Sequence, residues 1–290
     1  MSELIQATVA QGTDGPRPLT RARTARAKLQ RPWFQLRSWS PLRSRGASLL
    51  VPLALLALWQ LAAARGWLAE QILPAPSVVL RSLAALAASG ELWEHTRGSL
   101  LRVGMGFAIA AVLGVALGAL LGCSRRAEAY VSPTFEVYAQ TPVIAWIPIG
   151  VLLFGINEKL AVFLICIAAL VPVVMNTFKG VRYIPPAYVE LARVYRLSRL
   201  RLLARVVVPA ALPSIVLGLR LGLSQAWLTL VAAELVGIER GLGVLIVESR
   251  NLFQLDIVLG VIILLGLIGL VLDKTFVVIE RRLASWRGSA

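Results

Sequence analysis

The sequence predicts an all-α, polytopic membrane protein of six transmembrane helices, and three observations carry that prediction. Apolar residues make up 58% of the 290-residue chain, and its mean hydropathy is +0.75. Charged residues reach only 16%, where a soluble domain carries about a quarter. Several charge-free runs approach the roughly 20 residues that a helix needs to cross a bilayer core. The net charge of +15 would also suit a nucleic-acid partner. Lys and Arg accumulate in cytoplasmic loops of membrane proteins, however, so the excess is assigned to topology and no nucleic acid is expected.

Residues 1–46 are polar and hold nine basic residues ahead of the first apolar run. A signal peptide would place its apolar core nearer the start, so this stretch reads as a disordered cytoplasmic arm lying against anionic membrane lipid. The membrane domain occupies 47–280, and 281–290 is a short tail. Six charge-free runs supply the spans: Gly46–Ala64, Val103–Ser124, Val137–Asn157, Leu160–Phe178, Val206–Ala233 (interrupted by Arg220) and Ile257–Leu272. With both termini inside, 22 Lys and Arg fall in the inner segments and seven in the outer ones, which places both ends and the 179–208 loop in the cytoplasm.

Between the first two spans, Leu73-Pro74-Ala75-Pro76-Ser77 makes a rigid turn. Ser77 is expected to cap a short interfacial helix that runs to Ser89 and stops at Gly90. Ala110, Gly114, Gly118 and Gly122 recur every four residues and give the second span a smooth face for close helix packing. Pro142 and Pro148 break the third span just after Gln140 and Thr141. A proline there frees backbone carbonyls, which protein or a water-filled cavity must satisfy. That leaves two readings open, a packed kink or a stretch of pathway wall containing Gln140 and Thr141. Cys123 and Cys166 lie at or inside apolar runs and read as packing residues. His95, the single histidine, has no Cys or His neighbour and is given no ligand role.

The 179–208 loop predicts a hairpin. Pro185-Pro186 opens a helix that continues to Arg196, Leu197-Ser198 turns, and a second helix runs from Arg199 towards Val208. Pro209 and Pro213 then mark the fifth span. Arg199, Arg201 and Arg205 suit lipid headgroups, whereas Glu190 to Ser198 offers a surface to a soluble partner.

Glu190-Leu191-Ala192, position 196 and Val206-Val207-Val208-Pro209 resemble, at matching spacing, the cytoplasmic signature of ABC importer permeases. That signature reads Glu-Ala-Ala, three residues, Gly, nine residues, Ile-x-Leu-Pro. Leu191 replaces an Ala, and Arg196 stands where Gly is usual. Further stretches between residues 72 and 234, among them Ala145-Trp146-Ile147-Pro148, Phe154-Gly155-Ile156-Asn157-Glu158 and Trp227 to Glu234, are similar to the branch that imports aliphatic sulfonates, taurine and nitrate.

The resemblance implies a type I importer fold. It also implies a second permease copy, two cytoplasmic ATPase subunits and an external binding protein, in a bacterial inner membrane. Glu190, Leu191, Ala192, Arg196, Leu197 and Ser198 would form the ATPase-coupling surface. The cargo implied is a small anion, most simply an aliphatic sulfonate, with taurine, nitrate or bicarbonate as alternatives. The chain has no phosphate-cradling G-x-x-x-x-G-K-[ST] loop, so ATP and its Mg are expected on the partner and no cofactor or enzymatic activity in this chain.

Arg220 lies about eleven residues beyond Pro209, hence roughly 16 Å along a helix. An ionised side chain at that depth should face protein or water. Ser224 and Trp227 follow on the same face, as do Val231 and Glu234. Either Arg220, Ser224 and Trp227 line an anion path, or Arg220 is structural and bonds the carbonyls of the broken third span. An ATP-independent channel or secondary transporter is the rival class, but it needs no such hairpin and would often show repeated halves.

Overall fold

The computed structural model describes residues 41–67, 69, 72–236 and 238–284. The arm expected over residues 1–40 and the end of the tail lie outside the described residues. The chain divides into two compact units, Met1–Leu55 and Leu56–Ala290. What is described of the first is the opening of helix α1 (Pro41–Ala64), with Leu50, Leu53 and Leu55 all exposed.

The second unit continues with α2 (Pro76–Ser89), α3 (Glu91–Cys123), α4 (Arg125–Gln140), α5 (Ile147–Phe154) and α6 (Glu158–Arg182). Then come α7 (Pro186–Val194), α8 (Arg199–Leu202), α9 (Val208–Glu234), α10 (Leu242–Asn251) and α11 (Leu255–Ala284). No strand occurs among the described residues. The helix starts have local causes. Asn157 accepts the amide of Lys159 at 2.8 Å ahead of α6, and Ser124 accepts that of Ala127 at 3.2 Å ahead of α4. Ser77, the expected cap of α2, instead lies inside its first turn, where Pro76 opens the helix; its amide is satisfied by Gln60 at 3.2 Å.

Helix α6 forms the centre, with α3 on one side and α9 on the other. Leu160, Leu164, Ile165, Ala169, Val173 and Val174 are its buried face. The small-residue stripe of α3 lies against it, as the four-residue spacing requires. A Cβ added to Gly118 would stand 2.6 Å from the carbonyl oxygen of Val174 and 2.7 Å from Cβ of Thr177, so only glycine permits this approach.

Six crossing helices were expected. Among the described residues four are long and apolar enough to cross a membrane, or five if a bent pair counts as one span. The difference lies at both ends of the first half. Helix α1 contributes only the shorter apolar stretch Leu50–Ala64. The run Val137–Asn157 is no single helix either: α4 and the segment Val143–Phe154 meet at 102°. Pro142 explains the break, because it drives Thr141 out of the helical region to φ −80°, ψ 121°. The Tyr138 hydroxyl donates to the Ile167 carbonyl at 2.8 Å and ties the bend to α6.

The hairpin's second helix was expected to run towards Val208, with Pro209 and Pro213 marking entry into the fifth span. It does so without a break: α8 passes through one π-helical turn, Leu203–Val207, directly into α9. Pro209 has no amide to return to the carbonyl of Arg205, and the helix widens just there. One continuous rod therefore extends from the hairpin to Glu234.

The packing makes a paired prediction. Gly118→Ala should cost about 1–3 kcal/mol through overpacking, whereas Gly104→Ala, with nothing within 4 Å of an added Cβ, should be neutral or stabilise by up to about 1 kcal/mol. Thermal unfolding of the purified protein in detergent measures both, and equal midpoints would refute the close-approach account.

Candidate functional site

At one end of the molecule α7 packs its single buried described side chain, Ala192, inward and leaves the rest of its face open. Tyr188, Leu191 and Tyr195 are more than half exposed and border an apolar groove of about 610 Å³. Leu197, Val208, Pro209 and Leu212 line its other side. Glu190, Arg196 and Ser198 are exposed beside it. The six residues expected to form a coupling surface are thus gathered around one turn.

The geometry of that turn explains why glycine is usual at position 196. The Leu197 amide donates to the Ala192 carbonyl at 3.1 Å, the long bond of a Schellman turn. This motif needs a left-handed residue between them, and Arg196 supplies it at φ 48°. A side chain in that region costs about 1–2 kcal/mol relative to glycine.

Midway along α9, Arg220 does not reach the broken span. Its Nε donates to Asp273 of α11 at 2.8 Å and its Nη2 to the same carboxylate at 3.2 Å, with Glu280 3.3 Å from Nη1. Arg220, Ser224 and Trp227 share one cleft of about 430 Å³ between α9 and α11, as their spacing predicted. Trp227 closes its far side by donating to the Leu265 carbonyl at 3.2 Å. Gln140 and Thr141 do not join them. Gln140 is exposed, and the Thr141 hydroxyl bonds back to Val137 at 3.0 Å. They precede a second cleft of about 270 Å³, where Pro142 and Ile147 face Gln225 and Thr229 on another side of α9.

The end opposite the hairpin holds a polar cluster that the sequence reading did not assemble. Glu234 is 1% exposed. It accepts from the Ser99 hydroxyl at 2.7 Å, from Arg102 Nη1 at 2.6 Å and from the Gly243 amide at 2.7 Å. Arg102 also makes a two-pronged contact with Glu158 at the start of α6. Ser99 accepts the Leu242 amide at 2.9 Å, and His95 Nδ1 lies 2.8 Å from the Gly241 carbonyl oxygen and 3.1 Å from its amide. An added Cβ at Gly241 would sit 2.4 Å from the Glu234 carboxylate, so the chain can pass here only as glycine. Breaking such a buried pair by removing one partner costs about 3–5 kcal/mol. A signal was present: His95, Ser99 and Arg102 recur at steps of four and three on one face of α3.

A helical core wrapped around α6, with several helices long and apolar enough to cross a membrane, defines a multi-pass membrane protein. Residues 110–285 match the family described as "Binding-protein-dependent transport system inner membrane component", and the chain belongs to it. SsuC of Bacillus subtilis (strain 168), named as an aliphatic sulfonates transport permease, is 37% identical over 83% of this chain and 87% of its own length. TauC of Escherichia coli (strain K12), named as a taurine transport system permease, is 33% identical over 81% of this chain and 87% of its own. A solved inward-facing structure of the MetNI methionine ABC transporter shares the fold. Its TM-score is 0.59 at 18% identity, covering 66% of this chain and 95% of that one. The chain is therefore an ABC importer permease, a subunit without enzymatic activity whose ATPase is separate.

Arg196→Gly should stabilise the hairpin turn by up to about 1 kcal/mol, against the usual destabilising sign for glycine. Slower amide hydrogen exchange over residues 187–197 is the expected result; faster exchange would mean that the arginine side chain itself holds the turn.

Proposed function

We propose that this chain is the permease of an importer for a small anion, of which an aliphatic sulfonate is the leading candidate. The observation that carries the transport role is the apolar groove at an exposed turn. Tyr188, Leu191 and Tyr195 keep large apolar surfaces in water at the end where Lys and Arg concentrate. Such a surface marks a protein or membrane contact, and the exposed polar residues Glu190, Arg196 and Ser198 beside it favour a soluble partner. The basic excess puts this end in the cytoplasm of a bacterial inner membrane. Glu190, Leu191, Ala192, Arg196, Leu197 and Ser198 then meet the ATPase, which binds ATP and Mg. A second copy of this chain completes the path, and a solute-binding protein delivers cargo to the opposite end.

The sulfonate assignment is supported by the likeness to SsuC over most of both chains. Taurine and bicarbonate remain the alternatives of the same class. Arg220, Ser224 and Trp227 are the proposed pathway residues between α9 and α11, with Gln140 and Thr141 beside the second cleft. One observation favours a different role for Arg220. Two carboxylates already share its guanidinium, so a structural staple between α9 and α11 fits it better than an anion site.

Two measurements separate these statements. Leu191→Asp, at an exposed position, should leave the permease folded and cut ATPase co-purification at least about tenfold; undiminished capture would exclude this groove as the docking site. Arg220→Gln should lower the yield or thermal stability of the protein if the staple reading holds. It should lower anion uptake by vesicles at normal assembly if the pathway reading holds, and normal assembly with normal uptake removes both.

A further inference from the structure

Helix α10 begins with amides that have no intrahelical partner, and the bonds that satisfy them come from two distant helices. The Leu242 amide goes to Ser99 of α3 and the Gly243 amide to Glu234, the last residue of α9. His95 Nδ1 lies within reach of the Gly241 amide and carbonyl, pairing with one or the other according to its tautomer, and the Glu234 carboxylate fills the space that a Cβ would need there. Arg102 keeps that carboxylate in place while anchoring it to Glu158 of α6. The start of α10 is therefore fixed to the three central helices by polar bonds. Its own buried residues, Leu242, Val244 and Leu245, continue the apolar core.

Helix α9 gives this attachment its consequence. From Arg199 in the hairpin to Glu234 the chain is helical without a break, about 50 Å at 1.5 Å per residue. A load on α10 reaches Glu234 directly, and the other end of the same rod carries the groove beside Leu197 and Val208.

We propose that Glu234 is a positioning residue that clamps α10 to this rod, so that a binding protein seated on α10 is mechanically joined to the ATPase seated on the hairpin. The inference rests on the importer reading for its two partners, but the clamp itself is a property of this chain alone. Ser99 and His95 complete the clamp, and Glu158, half exposed at its rim, holds Arg102 in register.

Two experiments decide it. In the purified permease, Glu234→Gln should raise amide exchange at residues 242–245 at least about tenfold and leave residues 160–174 of α6 unchanged. Ser99→Ala, which removes less, should do so in part, and it keeps the test available if the glutamine variant fails to fold. In proteoliposomes holding the assembled importer, the same variants should retain basal ATPase activity within about twofold and lose most of its stimulation by the cognate binding protein, at least about fivefold. Unchanged exchange in both variants overturns the clamp. Freed α10 with full stimulation and uptake overturns its role in coupling, and so does an equal loss of basal and stimulated activity, which would mark general damage. If no ATPase associates with the wild-type chain, the importer reading fails, while the exchange result still stands on its own.

Discussion

Helix α6 must be held between α3 and α9 in a solvent that gives apolar side chains no reward for leaving it. Lipid tails are as apolar as leucine, so the helices associate through close contact and internal polar bonds. Glycines make the contact possible. Gly114, Gly118 and Gly122 of α3, and Gly218 and Gly222 of α9, bring backbone or Cβ atoms of α6 to distances that no added side chain would tolerate. Where α9 lies fixes where the hairpin emerges, and where α3 lies fixes Ser99 and Arg102. Helix α11 is held differently, at a few points: Gly269 against the Trp227 indole, Gly260 against Leu83, and Asp273 on Arg220.

Charge inside a membrane protein is costly unless paired and hydrogen-bonded. Arg102 and Arg220 meet this demand the same way, each between two carboxylates from other helices. Arg102 sits between Glu158 and Glu234, and Arg220 between Asp273 and Glu280. Their settings differ in a way that separates their mechanics. The Arg102 and Glu234 side chains are 3% and 0% exposed, so their bond has no competitor and the cluster behaves as one rigid piece. Arg220 and Asp273 are each about a third exposed along an open cleft, where water can replace either partner. The first pair fixes geometry; the second is the one that can open.

The sequence exposed the features that depend on periodicity and missed those that depend on meeting across the fold. The stripe from Ala110 to Gly122, the alignment of Arg220, Ser224 and Trp227, and the helix–turn–helix before Pro209 follow from helical spacing, and each is found. Six crossings are not matched among the described residues, where four helices, or five with the bent pair, are long and apolar enough; charge-free length cannot distinguish a straight helix from one turned by Pro142. The prolines expected to mark entry into the fifth span leave the helix continuous, because a π turn absorbs Pro209. The cluster around Glu234 was missed for another reason. Its members are separated by up to 146 residues, and Arg102 reads as one more loop charge until α3 is known to start at Glu91. His95 has no metal-binding neighbour in the sequence, and its partner is the backbone of Gly241.

The two ends of the long helix through α9 are in opposite energetic states, and that asymmetry follows from their chemistry. At Glu234 the carboxylate has three donors and the surrounding amides are paired, so the far end is complete within one chain. At the hairpin only Ala192 is buried among the described side chains of α7, large apolar residues face outward, and Arg196 holds a backbone conformation that disfavours a side chain. A segment with so few buried contacts belongs to the low-stability part of a structure and orders most fully against a partner. The chain thus has its polar groups paired at Glu234 and leaves apolar surface open at the hairpin. The helix between these two ends is continuous, with the π turn at Leu203–Val207 and Pro209 as the places where it can bend.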